Sequence, residues 1–270
     1  MQVIGLCRFS YPAIGGFQVE HDSAEARAAY LFDPKRMESR FATFETLTLP
    51  SLRAQTDDDF TYVIVTGDAM PRKYHERLCD LTADVPQIVI QSHASGQHRK
   101  VMKAAINAER LASDEPCLQF RLDDDDAVAV SFVRSLRKMA ERAYPLLQGR
   151  DNLAIDFNQG HIARPGPQGI EAAAIKAQYW SPALAVMLSA DTDLTVMNFS
   201  HHKVWQNMLT ITATGTDMML RGFTDHNDSR QKASARAQEL ALLDAEGEQQ
   251  FRDTYNVDAD HVRRVFSAAH

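Results

Sequence analysis

The sequence contains little cysteine, glycine or proline. Its three cysteines, Cys7, Cys79 and Cys117, are widely separated among 270 residues. This spacing excludes a disulfide framework or a cysteine-based zinc site and favours a reducing compartment. With 12 glycines and 10 prolines, the chain is neither collagen-like nor dominated by linkers. A hydrophobic core must therefore hold the fold together.

Long apolar runs and an excess of positive charge are also absent. The longest apolar run, residues 183–188, is far shorter than the roughly 20 residues that cross a bilayer. The first residues lack the basic region and the cleavage site of a signal peptide. The formal net charge of −7 argues against a general nucleic-acid-binding protein. We expect a cytoplasmic protein without a transmembrane segment, and peripheral membrane contact stays open.

The first half of the chain alternates two kinds of hydrophobic pattern. Short apolar runs are typical of buried strands, and the segments between them have apolar residues at helical spacing. Strands are predicted at residues 3–7, 60–65, 87–90 and 117–122, and helices at residues 36–52, 71–81, 97–112 and 128–143. This order predicts an α/β fold with a doubly wound, mostly parallel sheet and helices on both faces.

The second half is less regular. Residues 152–158 and 160–163 are expected to form a hairpin, and residues 183–188 a further strand. The charged segment from residue 230 onward is helical in character. We expect residues 1–230 to form the main domain and residues 231–270 a C-terminal helical extension.

Four consecutive aspartates, at residues 123–126, follow the fourth predicted strand. Ligands of doubly wound sheets bind beyond the carboxyl ends of the strands. On an extended backbone, Asp123 and Asp125 would point to one side, and Asp124 and Asp126 to the other. Two carboxylates on one side form an oxygen site for Mg²⁺ or Mn²⁺. A cation bound there could bridge to a diphosphate.

Two simpler interpretations of the acidic run stay open. Asp125 or Asp126 could cap the helix predicted from residue 128, because a helix N-terminus favours negative charge. The run could also be a solvated surface turn.

Motifs around this run resemble those of glycosyltransferases with the GT-A fold. In that fold a helix that carries an asparagine, here Asn107, precedes a strand that ends in an Asp-x-Asp motif. More narrowly, the chain resembles a bacterial family of rhamnosyltransferases over residues 1–230. The matching residues are Arg8-Phe9, Arg40-Phe41, Thr48-Leu49-Pro50-Ser51-Leu52, Gln55, Phe60, Ser95-Gly96 and the block at residues 121–126.

The resemblance implies a metal-dependent, inverting glycosyltransferase that takes a nucleotide-sugar donor of the UDP, GDP or dTDP type, with rhamnose as a candidate sugar. Asp123 and Asp125, with Asp126 as a further ligand, would bind Mn²⁺ or Mg²⁺. Asp123 and Asp124 would also contact the donor, and Asp68 would contact the nucleotide base.

The resemblance also implies a division of the main domain. Residues 1–148 would bind the donor. Residues 149–230 would bind the acceptor, a saccharide, a lipid-linked compound or another hydroxyl compound.

Transfer with inversion needs a general base that takes the proton of the acceptor hydroxyl. Inverting GT-A enzymes carry an acidic residue at a helix start well beyond the Asp-x-Asp motif, and the residues around Asp217 resemble that pattern. We expect Asp217 to be the base, with Asp156 as the alternative. A simpler role for Asp217 is to cap a helix. The histidine that these enzymes add to the metal is matched by His226.

A bound metal ion would neutralise only part of the negative charge of the diphosphate. Basic residues must neutralise the rest. Arg8 and Arg121 lie at the ends of predicted strands and are the candidates for this role. Their simpler role is surface ion pairing, which contributes little to stability. The P-loop and Rossmann glycine patterns are absent from the sequence.

Two other functions stay open. One is another metal-dependent nucleotide enzyme, a nucleotidyltransferase or a phosphoesterase, which would release pyrophosphate or inorganic phosphate. The other is a non-catalytic module that binds a metal or a sugar without turnover.

Overall fold

The structure is a computed structural model that describes residues 1–15, 21–149, 152–223 and 239–268. Its strands are β1 (Gln2–Arg8), β2 (Thr61–Gly67), β3 (Ile88–His93), β4 (Cys117–Arg121), β5 (Ala127–Val128), β6 (Leu153–Phe157), β7 (Gln159–Gly166), β8 (Gly169–Lys176), β9 (Leu184–Leu188), β10 (Leu209–Ala213), β11 (Met219–Gly222) and β12 (Ala241–Leu242). The four strands predicted in the first half are therefore confirmed, with small shifts at their ends.

Among the described residues, seven strands form the larger sheet, in the spatial order β10-β6-β9-β4-β1-β2-β3. Only β9 in this sheet runs antiparallel to its neighbours, β4 and β6. The other pairs are parallel. Leu6 of β1 lies opposite Arg121 of β4, so the two carboxyl ends meet at one edge. This register brings Arg8 and Asp123 to the same place.

The helices are α1 (Ala24–Leu31), α2 (Pro34–Thr43), α3 (Leu49–Arg53), α4 (Arg72–Thr82), α5 (His98–Ala108), α6 (Phe132–Ala143), α7 (Ala245–Tyr255) and α8 (Ala259–Ala268). Two hydrophobic clusters divide the core between the faces of the sheet. Phe41 of α2 and Leu136 of α6 belong to the first cluster, and Met102 and Ile106 of α5 belong to the second. Helices therefore cover both faces, and the predicted fold class is confirmed.

A second sheet has the order β12-β8-β7-β11-β5 among the described residues. The hairpin predicted from residues 152–158 and 160–163 is wrong, because β6 lies in the larger sheet and β7 in the smaller one. Instead, β7 pairs antiparallel with β8. The backbone leaves the larger sheet at Asn158, so consecutive strands enter different sheets.

Three predicted helices differ from the structure in extent, and the one predicted at residues 97–112 ends at Ala108. A π-helical segment, Phe44–Thr48, joins α2 to α3, and Pro50 lies in the first turn of α3. Pro50 has no N–H, and it lies where the π-helical segment passes into α3. The helical backbone continues past Pro50 to Arg53. The helix predicted from residue 128 begins at Phe132, so no aspartate of the acidic run caps it.

The C-terminal helices α7 and α8 pack into the first hydrophobic cluster through Phe251, Tyr255 and Val262. The Nδ2 of Asn256 donates a hydrogen bond of 3.0 Å to the carbonyl oxygen of Pro50. The division of the chain at residues 148 and 230 stays a prediction. No described helix has both the length and the hydropathy that crossing a membrane requires.

Candidate active site

The four aspartates form a tight turn at the carboxyl end of β4. The backbone N–H of Asp126 donates a hydrogen bond of 3.1 Å to the carbonyl oxygen of Asp123. The turn brings one carboxylate oxygen each of Asp123, Asp125 and Asp126 within 4.8 Å of one another. The alternation expected for an extended backbone is therefore wrong: three side chains converge, and Asp124 points elsewhere.

Asp124 is fully buried and is held by Arg40 of α2. The Nε of Arg40 donates to Oδ2 of Asp124 at 2.8 Å, and its Nη2 donates to Oδ1. The Nη1 of the same guanidinium lies 3.4 Å from Oδ2 of Asp125. Such a bidentate pair is strong and fixes the geometry of the carboxylate. Asp124, a predicted donor contact, is thus directed toward α2.

Asp126 is also fully buried and is held from β11. Its Oδ2 accepts a hydrogen bond of 2.9 Å from Nη1 of Arg221, and its Oδ1 accepts one of 3.0 Å from the N–H of Gly222. Burial raises the pKa of Asp126 well above its ordinary value, although the Arg221 guanidinium opposes that shift. The pKa of Arg221 is raised, because Asp126, Asp125 and Asp123 outweigh the effect of its burial.

Hydrogen bonds from neighbouring elements also fix the backbone of the turn. The hydroxyl of Thr48 donates to the carbonyl oxygen of Asp126 at 2.7 Å. The hydroxyl of Tyr62 donates to the carbonyl oxygen of Leu122 at 2.8 Å. These partners come from the π-helical segment and from β2, so the turn is held rigidly before any ligand arrives.

Gly222 is required because β11 passes close to the turn. A Cβ atom on Gly222 would lie 1.9 Å from the carbonyl oxygen of Asp125. We expect Gly222→Ala to lower the free energy of unfolding by about 1–3 kcal/mol, the usual cost of overpacking. Urea unfolding measures this change. Gly166→Ala is the matched control, because its Cβ would meet nothing within 4 Å. Equal effects of the two substitutions would contradict the close approach.

A pocket of about 160 Å³ opens beside the turn, at the carboxyl ends of β1 and β4. It is lined by Leu6, Arg8, His98, Met102, Arg121, Asp123 and Met197. The predicted residues Arg8, Arg121 and Asp123 therefore do lie together. The pocket has charged groups from the two strand ends and apolar groups from β1, α5 and the helical turn Val196–Asn198.

The charges in this pocket act on one another. Burial alone would raise the pKa of Asp123, but the guanidinium groups of Arg121, Arg221 and Arg8 lower it below its ordinary value. Burial, together with Arg8 and Arg121, lowers the pKa of His98 to about 3. Near neutral pH, Asp123 is therefore an anion and His98 is neutral.

Arg121 is also held by a residue that does not line the pocket. Its Nη2 donates a hydrogen bond of 2.6 Å to the hydroxyl of Ser181. Ser181 begins a short helical turn, Ser181–Ala183, that precedes β9. This bond limits the orientations of the Arg121 guanidinium beside Asp123.

Two other predicted residues, Asp68 and Asp156, have their hydrogen-bond partners outside the acidic turn. Asp68 follows β2, is exposed, and donates its backbone N–H to the carbonyl oxygen of His93 at 3.0 Å. His226 lies outside the described residues. Asp156 is fully buried, and its carboxylate accepts bonds from the N–H of Tyr179 and the hydroxyl of Thr212. Burial raises the pKa of Asp156, against the effect of these two bonds.

Asp217 precedes strand β11, so the expected helix start at this residue is wrong. Its carboxylate accepts hydrogen bonds from Nε2 of Gln159 at 3.1 Å and from Nε2 of Gln250 at 3.2 Å. Four residues of nearly extended chain, roughly 13 Å, separate Asp217 from Arg221. The two partners come from β7 and α7, and the role of Asp217 as a base stays a prediction.

Sequence reasoning gave Arg40 and Arg221 no role, although they neutralise Asp124 and Asp126. Four adjacent carboxylates need positive charge close to them. This need is the one feature of the sequence that indicates arginines beside the acidic run. It does not indicate which arginines, because Arg40 lies 84 residues from Asp124 and Arg221 lies 95 residues from Asp126.

The sheet order, the antiparallel β9 beside β4 and the acidic turn at the end of β4 describe a doubly wound α/β domain with a carboxylate site at the end of a central strand. Residues 2–236 match the family described as "Putative rhamnosyl transferase". Because this match covers most of the chain, the protein belongs to that family.

Solved structures similar to this chain include two of TarS from S. aureus. The complex of TarS 1–349 with UDP has 9% sequence identity and a TM-score of 0.46, and the match covers 83% of this chain and 61% of that chain. The complex of TarS 1–349 with UDP-GlcNAc has 9% sequence identity and a TM-score of 0.46, and the match covers 100% of this chain and 71% of that chain. This chain thus spans about three-fifths of the first TarS chain. No curated protein sequence matches it.

Proposed function

We propose that the protein transfers a sugar from a nucleoside-diphosphate sugar to a hydroxyl group of an acceptor. The observation that carries this proposal is the pocket in which Asp123 lies among Arg8, Arg121 and His98. Family membership supports the same reaction class. The acceptor is a saccharide, a lipid-linked compound or another hydroxyl compound.

Arg8 and Arg121 are the groups that would bind the diphosphate of the donor. Both guanidinium groups line the pocket, and guanidinium binds phosphate oxygens through paired, charge-assisted hydrogen bonds. The first turn of α5 carries His98 into the same pocket, and its helix N-terminus favours negative charge. The leaving diphosphate would thus meet positive charge from two strand ends and one helix.

The carboxylates of the turn fit a divalent cation. The oxygen atoms that converge there are the ligands that Mg²⁺ and Mn²⁺ prefer. Asp123 and Asp125 are the residues that would hold the ion, and Asp126, whose two oxygens also accept hydrogen bonds from β11, would be a further ligand. A bound cation would act as a Lewis acid and stabilise the departing diphosphate.

Asp217→Asn tests whether Asp217 is the general base. Loss of a general base costs about 10²–10⁴-fold in rate, so we expect the variant to lose sugar transfer by about that factor and to keep donor binding. Steady-state rates at saturating donor measure the loss. A rate within about tenfold of the wild type would contradict the base role and leave Asp217 as an anchor for Gln159 and Gln250.

Product analysis tests the proposed function. The protein is incubated with Mn²⁺ and, separately, with dTDP-rhamnose, UDP-glucose and GDP-mannose, and the nucleotide products are separated by chromatography. We expect slow release of a nucleoside diphosphate from one donor, with water taking the sugar in place of the acceptor and free sugar appearing in equal amount. Release of a nucleoside monophosphate, pyrophosphate or inorganic phosphate would contradict glycosyl transfer. With an acceptor in hand, the anomeric configuration of the product, read by NMR, tests the predicted inversion.

A further inference from the structure

A second, smaller cavity adjoins the pocket beside the acidic turn, and residues of β9 contribute to its lining. Its volume is about 10 Å³, which is room for about one water-sized group. Arg121 lines both cavities. The polar lining residues of the small cavity are Arg121, Ser181 and His201, and the others are apolar. A hydroxyl group that enters this cavity therefore has few partners, and His201 is one of them.

His201 is held in one orientation and one tautomer. It begins the short helical segment His201–Gln206, and its Nδ1 lies 2.7 Å from the carbonyl oxygen of Tyr179. A carbonyl oxygen can only accept a hydrogen bond, so Nδ1 carries the proton of the neutral ring and Nε2 is an acceptor. Burial and the guanidinium of Arg121 lower the pKa of His201 to about 4. Near neutral pH, the ring therefore offers Nε2 to a hydroxyl donor.

Asp156 fixes the peptide group that orients His201. Its Oδ1 accepts a hydrogen bond of 2.9 Å from the N–H of Tyr179, and its Oδ2 accepts one of 3.1 Å from the hydroxyl of Thr212. Tyr179 has a φ of 61°, in the left-handed region that is costly for residues other than glycine. The buried carboxylate thus stabilises a strained backbone whose N–H binds Asp156 and whose carbonyl oxygen binds His201.

The order of the strands places His201 near the sugar end of a bound donor. The larger sheet contains the run β9-β4-β1-β2, and the diphosphate is proposed to bind at the ends of β4 and β1. Asp68, which is expected to contact the base, follows β2. The nucleoside and the sugar are attached to opposite ends of the diphosphate. With the nucleoside over β2, the sugar lies on the β9 side of Arg121, where the small cavity is.

We propose that His201 binds a hydroxyl group of the transferred sugar, which donates a hydrogen bond to Nε2, and that Asp156 positions His201 through the Tyr179 peptide. The inference rests on the proposed function, because the sugar is that of the nucleoside-diphosphate donor. His201 is then a residue that selects the donor sugar. Asp156, which touches no substrate, is a positioning residue.

The first test compares binding of a nucleotide sugar with binding of its nucleoside diphosphate. Calorimetric titrations with Mn²⁺ measure the dissociation constants of dTDP-rhamnose, UDP-glucose and GDP-mannose, and of dTDP, UDP and GDP, for the wild type and His201→Asn. Asparagine keeps an N–H donor near the position of Nδ1 and lacks the acceptor Nε2. We expect the affinity for the bound nucleotide sugar to fall about tenfold, as for a lost hydrogen bond, and that for its nucleoside diphosphate to stay within about twofold.

His75→Asn is the matched control for His201→Asn. His75 lies on α4, and its Nδ1 contacts the Sγ of Cys79 in the same helix. This substitution should change neither affinity.

The second test removes the carboxylate that positions His201. Asp156→Ala is expected to weaken binding of the nucleotide sugar by a similar factor and to leave binding of the nucleoside diphosphate unchanged. Asp156→Asn should restore most of the affinity for the nucleotide sugar, because the asparagine Oδ1 can still accept a hydrogen bond from the N–H of Tyr179. A general loss of structure would instead weaken binding of both ligands.

Several results would overturn the inference. Unchanged affinity of His201→Asn for the nucleotide sugar, or equal losses for both ligands, would contradict the role of His201 and leave the proposed function standing. The same holds if the wild type binds a nucleoside diphosphate but none of the three nucleotide sugars. A loss in His201→Asn that Asp156→Ala does not share would contradict the positioning role of Asp156. If no nucleoside diphosphate binds to the wild type, the proposed function fails as well.

Discussion

Asp123→Asn is expected to lower the rate of sugar transfer by roughly a hundredfold or more. Asp123 lines the pocket proposed to bind the donor and is one of the carboxylates proposed to hold the cation. Such a cation contributes several kcal/mol of transition-state stabilisation, and about 1.4 kcal/mol corresponds to a factor of ten in rate. Asparagine keeps the size of the side chain and removes its charge. Release of nucleoside diphosphate at saturating donor measures the loss.

Asp84→Asn is the control for this prediction. Asp84 carries the same group on an exposed surface, where it pairs with Arg53, and its replacement should leave the rate within about twofold, as for surface substitutions in general. If Asp123→Asn retained more than a tenth of the wild-type rate, Asp123 would not be part of the reaction centre.

Arg40→Ala is expected to lower the free energy of unfolding by about 3–5 kcal/mol, because it leaves a buried carboxylate without its partner. The side chain of Asp124 is fully buried, and that of Arg40 is 4% exposed. Water can therefore solvate the isolated carboxylate only if the turn opens. Urea unfolding followed by circular dichroism measures the change in the free energy of unfolding.

Two further variants separate the buried ion pair from general effects of removing arginine. Arg53→Ala removes an arginine from an exposed ion pair and should cost at most about 1 kcal/mol. The double variant Arg40→Met/Asp124→Leu removes both buried charges and should recover much of the stability that Arg40→Ala loses. Similar losses in Arg40→Ala and Arg53→Ala would contradict the structural role of the Arg40–Asp124 pair.

The larger sheet was predictable because its strands carry local signals. β1, β2 and β4 are short and almost wholly buried runs, and each stands out against the helical spacing that follows it. The hairpin was predicted wrongly because local sequence patterns do not indicate which sheet a strand joins. A single residue, Asn158, separates β6 from β7, and no pattern within either strand indicates that each joins a different sheet.

The candidate site was predictable only in part. The acidic run and the two arginines at strand ends follow from the chain order, since carboxyl ends of parallel strands meet at one edge. The tight turn at residues 123–126 did not follow, because it depends on bonds from Thr48, Arg40 and Gly222. Those residues are distant in the sequence, and only the folded chain brings them to the turn.

The central claim is that the acidic turn and its pocket form a donor site. The most direct test is whether nucleoside diphosphates raise the melting temperature of the protein. Thermal unfolding of the wild-type protein is measured with UDP, GDP and dTDP, each with and without Mn²⁺, and repeated with Asp123→Asn. A nucleotide at a hundred times its dissociation constant should add about 2.7 kcal/mol to the stability. We predict a rise in melting temperature with one nucleotide that requires both Mn²⁺ and Asp123. No rise with any of the three, or an equal rise in Asp123→Asn, would contradict the donor site.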